Sequence, residues 1–79
     1  MIGAEDSHPL PLKGGSLRFT DEDGLVWTVT ERDAGGVPGS RGPRCLVFSS
    51  QEAVRRVWEY PIGWRDLLTP ALIALSWSR

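Results

Sequence analysis

The stretch "SLRFTDEDGLVWTVTE" constrains the fold of this chain more than any other part of it. Apolar and polar side chains alternate before and after an acidic turn, which is typical of half-buried β-strands. A three-residue loop ending at Gly24 places Phe19 opposite Trp27 and Leu17 opposite Val29, so that all four lie on one face. Glycine adopts the left-handed conformation that this loop requires. The sequence therefore predicts a β-hairpin with one apolar face.

Two further segments can extend this sheet. "RCLVFSS", residues 44–50, is apolar at both alternating sets of positions, which suits a central or covered strand. "SSQEAVRRVWEY", residues 49–60, fits a helix with Ser49 as N-cap and Glu52 completing a capping box. It fits equally a fourth strand joined to the third through residues 50–53. We favour the strand, because Val, Trp and Tyr prefer it and because a strand that is apolar on both faces needs a neighbour on each side.

The C-terminal stretch "LLTPALIALSW" predicts one short helix. Thr69 suits the N-cap and Pro70 the first helical position, so we expect the helix to run from Pro70 to Trp77. A helix this short is not stable alone in water and must dock. The side expected to cover the sheet carries Leu68, Ala71, Leu72 and Leu75. The opposite side carries Ile73 and Trp77, which we expect to face a partner.

Together these segments predict an α+β fold, a small antiparallel β-meander of three to four strands covered by one short C-terminal helix. Residues 1–15 contain two prolines and three glycines and lack an apolar period, so they predict a flexible N-terminal tail. Residues 16–79 form the single domain. Within it, residues 32–44 hold four glycines and two prolines, which is typical of a mobile loop.

The length and composition limit how such a domain is stabilised. The chain has 79 residues, one cysteine and one histidine, so we expect no intrachain disulfide, no metal site and no cofactor. Without a disulfide or a metal, a core this small can still be stabilised by oligomerisation. We expect a cytoplasmic protein without a membrane segment, because no apolar run approaches the roughly 18 residues of a membrane span and the N-terminal region lacks the features of a signal peptide.

Charge is unevenly distributed along the chain. Residues 1–40 carry seven acidic and three basic side chains, and residues 41–79 carry six arginines and three acidic side chains. The two halves therefore have formal net charges of −4 and +3. A basic half attracts anionic partners, whereas charges of opposite sign within one small fold largely cancel outside it.

The segment "RRVWEYPIGWRDL", residues 55–67, concentrates arginine and aromatic side chains. One interpretation is structural, with Trp64 turned back toward the sheet and arginine side chains laid on the aromatic rings. The other is a binding surface, since Trp, Tyr and Arg are enriched at binding hot spots. The candidate partner-binding residues are Trp58, Tyr60, Ile73 and Trp77. The candidate contacts to an anion or a nucleic acid are Arg41, Arg44, Arg55, Arg56 and Arg65.

One pattern resembles a known group of sequences. Its elements are Phe48-x-Ser50, Arg55-Arg56-Val57, Pro61, Trp64 and Leu67, followed by a leucine-rich end. This order is similar to short uncharacterised bacterial proteins that carry F-x-S…R-R-hydrophobic…P-x-x-W-x-x-L, and it covers residues 46–75. The resemblance implies a hairpin turn between the serine and the arginines, and it implies no particular activity. The chain departs from the group by having no glycine at 51–53 and a terminal helix that is not acidic.

Three classes of function follow from these features. The first is a non-catalytic interaction or regulatory module that binds a protein partner or a second copy of itself through the C-terminal half. The second is single-stranded nucleic-acid binding, with arginines on phosphates and aromatic rings stacked on bases. We do not predict an enzyme. No nucleophile lies near a candidate base in the sequence, and no pair of carboxylates occurs apart from the turn.

Overall fold

The structure is a computed structural model that describes residues 8–33 and 42–77. The fold is α+β, with a five-stranded antiparallel sheet and one C-terminal helix. The elements in chain order are β1 (Leu10–Pro11), β2 (Leu17–Thr20), β3 (Val26–Asp33), β4 (Arg44–Ser49), β5 (Val54–Val57) and α1 (Thr69–Ser76). The predicted fold class is confirmed, with five strands in place of three to four.

The first hairpin has the predicted register. Phe19 lies opposite Trp27 and Leu17 opposite Val29. Gly24 has a φ of 84°, and its N–H donates to the Asp21 carbonyl at 3.1 Å. The left-handed glycine closes the turn, so the alternation of side chains continues from β2 into β3 without a change of face.

The ambiguous segment after β4 forms a strand, and the helical alternative is wrong. β5 pairs with β4 so that Val54 lies opposite Ser49 and Val57 opposite Leu46. The turn between them contains no glycine. Instead, the Ser50 hydroxyl accepts the Ala53 N–H at 3.1 Å, and the Ser50 N–H donates to the Ala53 carbonyl at 2.9 Å. The Ser50 side chain thus stabilises a turn that often contains glycine in the group of sequences that the chain resembles.

The sheet has a short fifth strand near the N-terminus. Leu10 pairs with Arg18 and Pro11 with Leu17, at the edge of β2. Proline is tolerated there because an edge strand does not need every N–H as a donor. Leu10 and Pro11, which belong to the predicted tail at 1–15, therefore form part of the sheet. The first seven residues of the tail predicted at 1–15, and most of the predicted loop, residues 34–41, lie outside the described residues.

One face of the sheet holds the core. The buried apolar side chains are Leu17, Phe19, Trp27, Val29, Leu46, Phe48, Val57, Trp64 and Leu72. The rings of Phe19 and Phe48 meet edge to face, with centroids 6.2 Å apart, an arrangement that aromatic pairs prefer. Trp64 lies in a 3₁₀ turn, Trp64–Asp66, and is 1% exposed. That turn and α1 together cover this face.

The helix docks in a different orientation from the one predicted. It begins at Thr69 with Leu68 as N-cap, and its buried residues are Thr69, Leu72 and Ser76. Leu68 is exposed, whereas Ile73 packs partly against the core. The predicted outward position of Ile73 is therefore wrong. No helix within residues 8–33 and 42–77 is long and apolar enough to span a membrane.

Candidate functional site

The most distinctive local feature is a stack of three side chains, the Arg55 stack, formed by Trp27, Arg55 and Trp77. The Arg55 guanidinium carbon lies 3.6 Å from the centroid of the Trp77 ring and 4.7 Å from that of Trp27. Its Nη1 also donates to the Ser76 hydroxyl at 3.2 Å. Among aromatic rings, the indole attracts a cation placed over its face most strongly, and arginine is the cation found there more often. The stack therefore ties the end of α1 to the sheet.

Alternation along the strands explains why these residues meet. Arg55 lies opposite Phe48 and so points to the covered face of the sheet, where Trp27 also lies. The Ser76 hydroxyl donates to the Ile73 carbonyl at 2.6 Å, which leaves its lone pairs for Arg55. Trp77 follows directly as the C-cap residue of α1. The end of α1 therefore places the Trp77 ring next to Arg55, which is the one charged side chain of β5 that points toward the core.

Asp21 fixes the other ring of the stack. Its carboxylate accepts the Trp27 Nε1–H at 2.9 Å and the backbone N–H groups of Asp23 and Leu25, each at 2.9 Å. The indole hydrogen bond is the main cause that lowers the pKa of Asp21 below its usual 3.8, and the Leu25 N–H adds to it. Asp21 is accordingly ionised at neutral pH. The carboxylate orients Trp27 and closes the hairpin turn at the same time.

A cleft of about 340 Å³ lies beside the Arg55 stack, between the hairpin turn and the end of α1. Phe19, Leu25 and Ile73 contribute apolar lining. The rim is acidic, with the carboxylates of Glu22, Asp23 and Glu52. These three carboxylates form no ion pair within the part of the chain that the structure describes. The cleft therefore combines an apolar lining, an exposed aromatic ring and a negative edge.

A second polar cluster lies elsewhere, around Glu31. Its carboxylate accepts the Tyr60 hydroxyl at 2.7 Å and lies 3.7 Å from both Arg44 Nη1 and Arg65 Nη2. Burial, with the hydrogen bond to Glu31 as a second cause, raises the pKa of Tyr60 to about 12. Arg65 also donates to the Gly15 carbonyl at 2.9 Å. This cluster joins distant parts of the chain.

The structure brings together only some of the predicted partner-binding residues. Ile73 and Trp77 both line the cleft. Tyr60 is bound to Glu31 in the second cluster, and neither Tyr60 nor Trp58 lines the cleft. Trp77 is 60% exposed, and both Trp58 and Tyr60 are half-buried. The predicted set is therefore divided between separate parts of the surface.

The predicted arginine contacts do not form one continuous basic surface. Arg44 and Arg65 share Glu31, and the Arg65 guanidinium carbon lies 4.4 Å from the Trp64 ring centroid. Arg55 belongs to the stack with Trp77. Arg56 points to the opposite face of the sheet, and Arg41 lies outside the described residues.

Sequence reasoning missed Trp27 and Asp21 as parts of the site. The alternating pattern predicts that Trp27 lies in the core and Asp21 at the turn, and both do. It does not predict that the two residues also contribute to the Arg55 stack. The signal that could have identified them is Arg55 on the covered face of β5. A charged side chain pointing into an apolar layer requires a partner there, and an aromatic ring on a neighbouring strand is a suitable one.

The site carries no sign of a metal centre among the residues that are described. Within those ranges, no three His, Cys, Asp or Glu side chains lie close enough together to hold an ion. Comparisons of the chain with protein-family models, with curated proteins and with solved structures found no match. The resemblance to the short bacterial proteins stays a prediction.

Proposed function

We propose that the chain is a non-catalytic, cytoplasmic interaction module that binds a protein partner through Trp77 and the adjoining cleft. The observation that carries this proposal is the state of Trp77. Its ring is 60% exposed, yet one face lies 3.6 Å from a guanidinium that is itself held by Ser76. An aromatic side chain that is exposed and already ordered loses little conformational entropy on binding.

The chemistry of the cleft favours a polypeptide. Tryptophan and arginine are the residue types most enriched at binding hot spots, and the apolar lining from Ile73 and Leu25 gives an aliphatic side chain a place to bury. The acidic rim repels phosphate groups. A protein partner satisfies all of these features, whereas a nucleic acid would meet the carboxylates of Glu22 and Glu52 at this edge.

Single-stranded nucleic-acid binding remains the second hypothesis, and the described contacts offer it less support. Trp64 is 1% exposed and has no ring face for a base. Arg44, Arg55 and Arg65 already have partners within the chain. A titration of the tryptophan fluorescence with a thymidine oligonucleotide at low salt tests this function. Quenching at micromolar concentrations would favour it over protein binding.

A paired substitution tests the protein-binding function. Trp77→Ala removes the exposed ring, and Ile62→Ala serves as the matched control, because Ile62 is 99% exposed but lies outside the cleft lining. We expect the wild-type chain and Ile62→Ala to retain the same protein from a cell lysate, or to form the same oligomer in light scattering. Trp77→Ala should lose that interaction with circular dichroism unchanged.

A second variant separates the ordering of Trp77 from its presence. Arg55→Met keeps the length of the side chain but removes the cation, so Trp77 is retained without its clamp. We expect binding to weaken by a factor of about 2 to 5, in line with about 0.5–1 kcal/mol for an exposed cation–π contact. If all four proteins are monomeric and retain identical sets of proteins, the proposed function is wrong.

A further inference from the structure

The face of the sheet opposite the core has its own composition. Strand pairing aligns Leu10, Arg18, Thr28, Ser49 and Val54 in one row across all five strands. The row is remote from Trp77 because it points away from α1. We call this surface the open sheet face and define it by this row together with Val26 and Arg56. At one end it is bounded by Cys45, which points the same way but is buried.

This face is positively charged. Arg18 and Arg56 are exposed, and neither forms an ion pair within residues 8–33 and 42–77. The acidic residues within the strands are Glu31 and Asp33, and alternation from Val29 directs both to the other face. The strands therefore present cations to this side and no carboxylate.

The open sheet face is also apolar at both margins. Leu10 and Val54, in the two edge strands, are each 60% exposed, and Val26 in the central strand is 47% exposed. Neighbouring strands are about 4.8 Å apart, so Leu10 and Val54 lie roughly 19 Å from each other. Between them, Arg18, Val26 and Thr28 line a shallow cavity of about 440 Å³.

The size of the face indicates the kind of occupant. Strand and residue spacings give it an area on the order of 300 Å², whereas a stable interface between globular proteins buries about 800 Å² on each partner. A second folded copy of the chain would thus be held weakly. A single short segment of a partner matches the area better. Within the described strands β1 to β5, no aromatic side chain points to this face to stack on a base, as nucleic-acid binding requires.

We propose that the open sheet face binds an acidic polypeptide segment that carries aliphatic side chains. Its carboxylates pair with Arg18 and Arg56, and its aliphatic groups cover Val26, Val54 and Leu10. Charge complementarity sets the orientation and makes the association sensitive to salt. This surface is separate from the cleft at Trp77, so the chain has two docking surfaces of different charge.

The test uses the full chain labelled with ¹⁵N and three probes. They are a twelve-residue peptide of alternating Glu and Leu, the same peptide with Lys in place of Glu, and a twelve-nucleotide thymidine strand. We expect the acidic peptide to shift the amide resonances of Arg18, Thr28 and Arg56 and to leave the Trp77 indole resonance in place. Raising the salt concentration should weaken this binding.

Two double variants with equal net charge provide the control. Arg18→Gln with Arg56→Gln removes the two arginines that define the face, and Lys13→Gln with Arg44→Gln removes two exposed cations that lie elsewhere. We expect the first pair to weaken peptide binding about tenfold, as two surface ion pairs allow, and the second pair to change it little.

Several outcomes would overturn the proposal. They are absence of shifts at millimolar acidic peptide, equal binding of the basic peptide, or equal loss in both double variants. Shifts on this face with the thymidine strand alone would assign it to nucleic acid. Protection of the face by self-association would assign it to a second copy. Self-association through this face would persist in Trp77→Ala, whereas an oligomer formed through the cleft would be lost, so failure of one proposal is distinguishable from failure of the other.

Discussion

Single residues with several partners hold this small domain together. Glu31 is one, because its carboxylate receives the Tyr60 hydroxyl and lies near the guanidinium groups of Arg44 and Arg65. Arg55 is another, since it joins two indole rings and a serine hydroxyl. A short chain makes few tertiary contacts, so each side chain that connects three elements has a large share in a stability of only a few kcal/mol.

Tyr60 gives a pH-dependent prediction. Its pKa is raised to about 12 in the folded chain from the usual 10.0, so the folded state holds the phenolic proton more tightly than the unfolded state. The resulting stability is fully present below pH 10 and is lost as the pH rises through 12. The chain has a single tyrosine, so ultraviolet absorbance of the phenolate measures its titration directly.

The control is Tyr60→Phe, which removes the hydroxyl and keeps the ring. We expect it to lower the free energy of unfolding at neutral pH by about 1 kcal/mol, as for a typical hydrogen bond, and to abolish the loss of stability between these pH values. A wild-type phenol that ionises near pH 10 while the chain is still folded would contradict the contact with Glu31.

At the scale of the elements, turns carry conformational requirements that are separate from packing. Gly24 has a φ of 84°, and a Cβ added there would meet no atom within 4 Å. We expect Gly24→Ala to lower the free energy of unfolding by about 1–2 kcal/mol, because a residue with a Cβ is disfavoured in the left-handed region. Chemical denaturation measures the change.

Gly42→Ala is the matched control for this substitution. A Cβ at Gly42 also meets nothing within 4 Å, and no positive φ is found there. We expect Gly42→Ala to be neutral or to stabilise the chain slightly, since alanine has fewer conformations in the unfolded state. Equal effects of the two substitutions would show that the left-handed turn does not govern the stability of the hairpin.

The elements also show which parts of the fold the sequence determines. The register of β2 and β3 was predictable, because alternating Leu17, Phe19, Trp27 and Val29 share a face only with the loop that ends at Gly24. The two-residue β1 was not, since it is too short for an alternating pattern and is held by its neighbour β2. Local patterns predict hairpins, and tertiary contacts decide the rest.

The orientation of α1 shows a second limit. Its residues are "TPALIALS", apolar on almost every side, so helical spacing does not define a single buried face. Ser76 points inward because its hydroxyl meets Arg55, a contact that sequence spacing does not reveal. The exposure of Trp77 was predicted and the packing of Ile73 was not. The sequence therefore predicted that Trp77 belongs to the candidate site, but it did not predict how the residues of the site are arranged.

At the scale of the whole molecule, the core joins four strands, the Trp64 turn and α1 in one cluster. We therefore expect unfolding in one cooperative step, with coincident transitions by circular dichroism and tryptophan fluorescence. Leu72, which is fully buried, reports on the helix. Leu72→Ala should lower the free energy of unfolding by about 2–5 kcal/mol and move both transitions together.

An exposed aliphatic residue of the same helix region provides the comparison. Leu68 is 44% exposed, so Leu68→Ala should change stability far less than Leu72→Ala. Two separate transitions in Leu72→Ala, with the sheet melting after the helix, would show that α1 is not part of the cooperative unit.

The order of the strands has a consequence for how quickly the native state is reached. In the sheet, each strand lies beside its neighbours in the chain, from β1 to β5. Contacts between residues close in sequence cost little loop-closure entropy, so a chain with this arrangement folds faster than a sheet with crossover connections. Each hairpin can form as soon as its own two strands have left the ribosome, and we expect α1, which follows β5 in the chain, to pack on strands that are already paired.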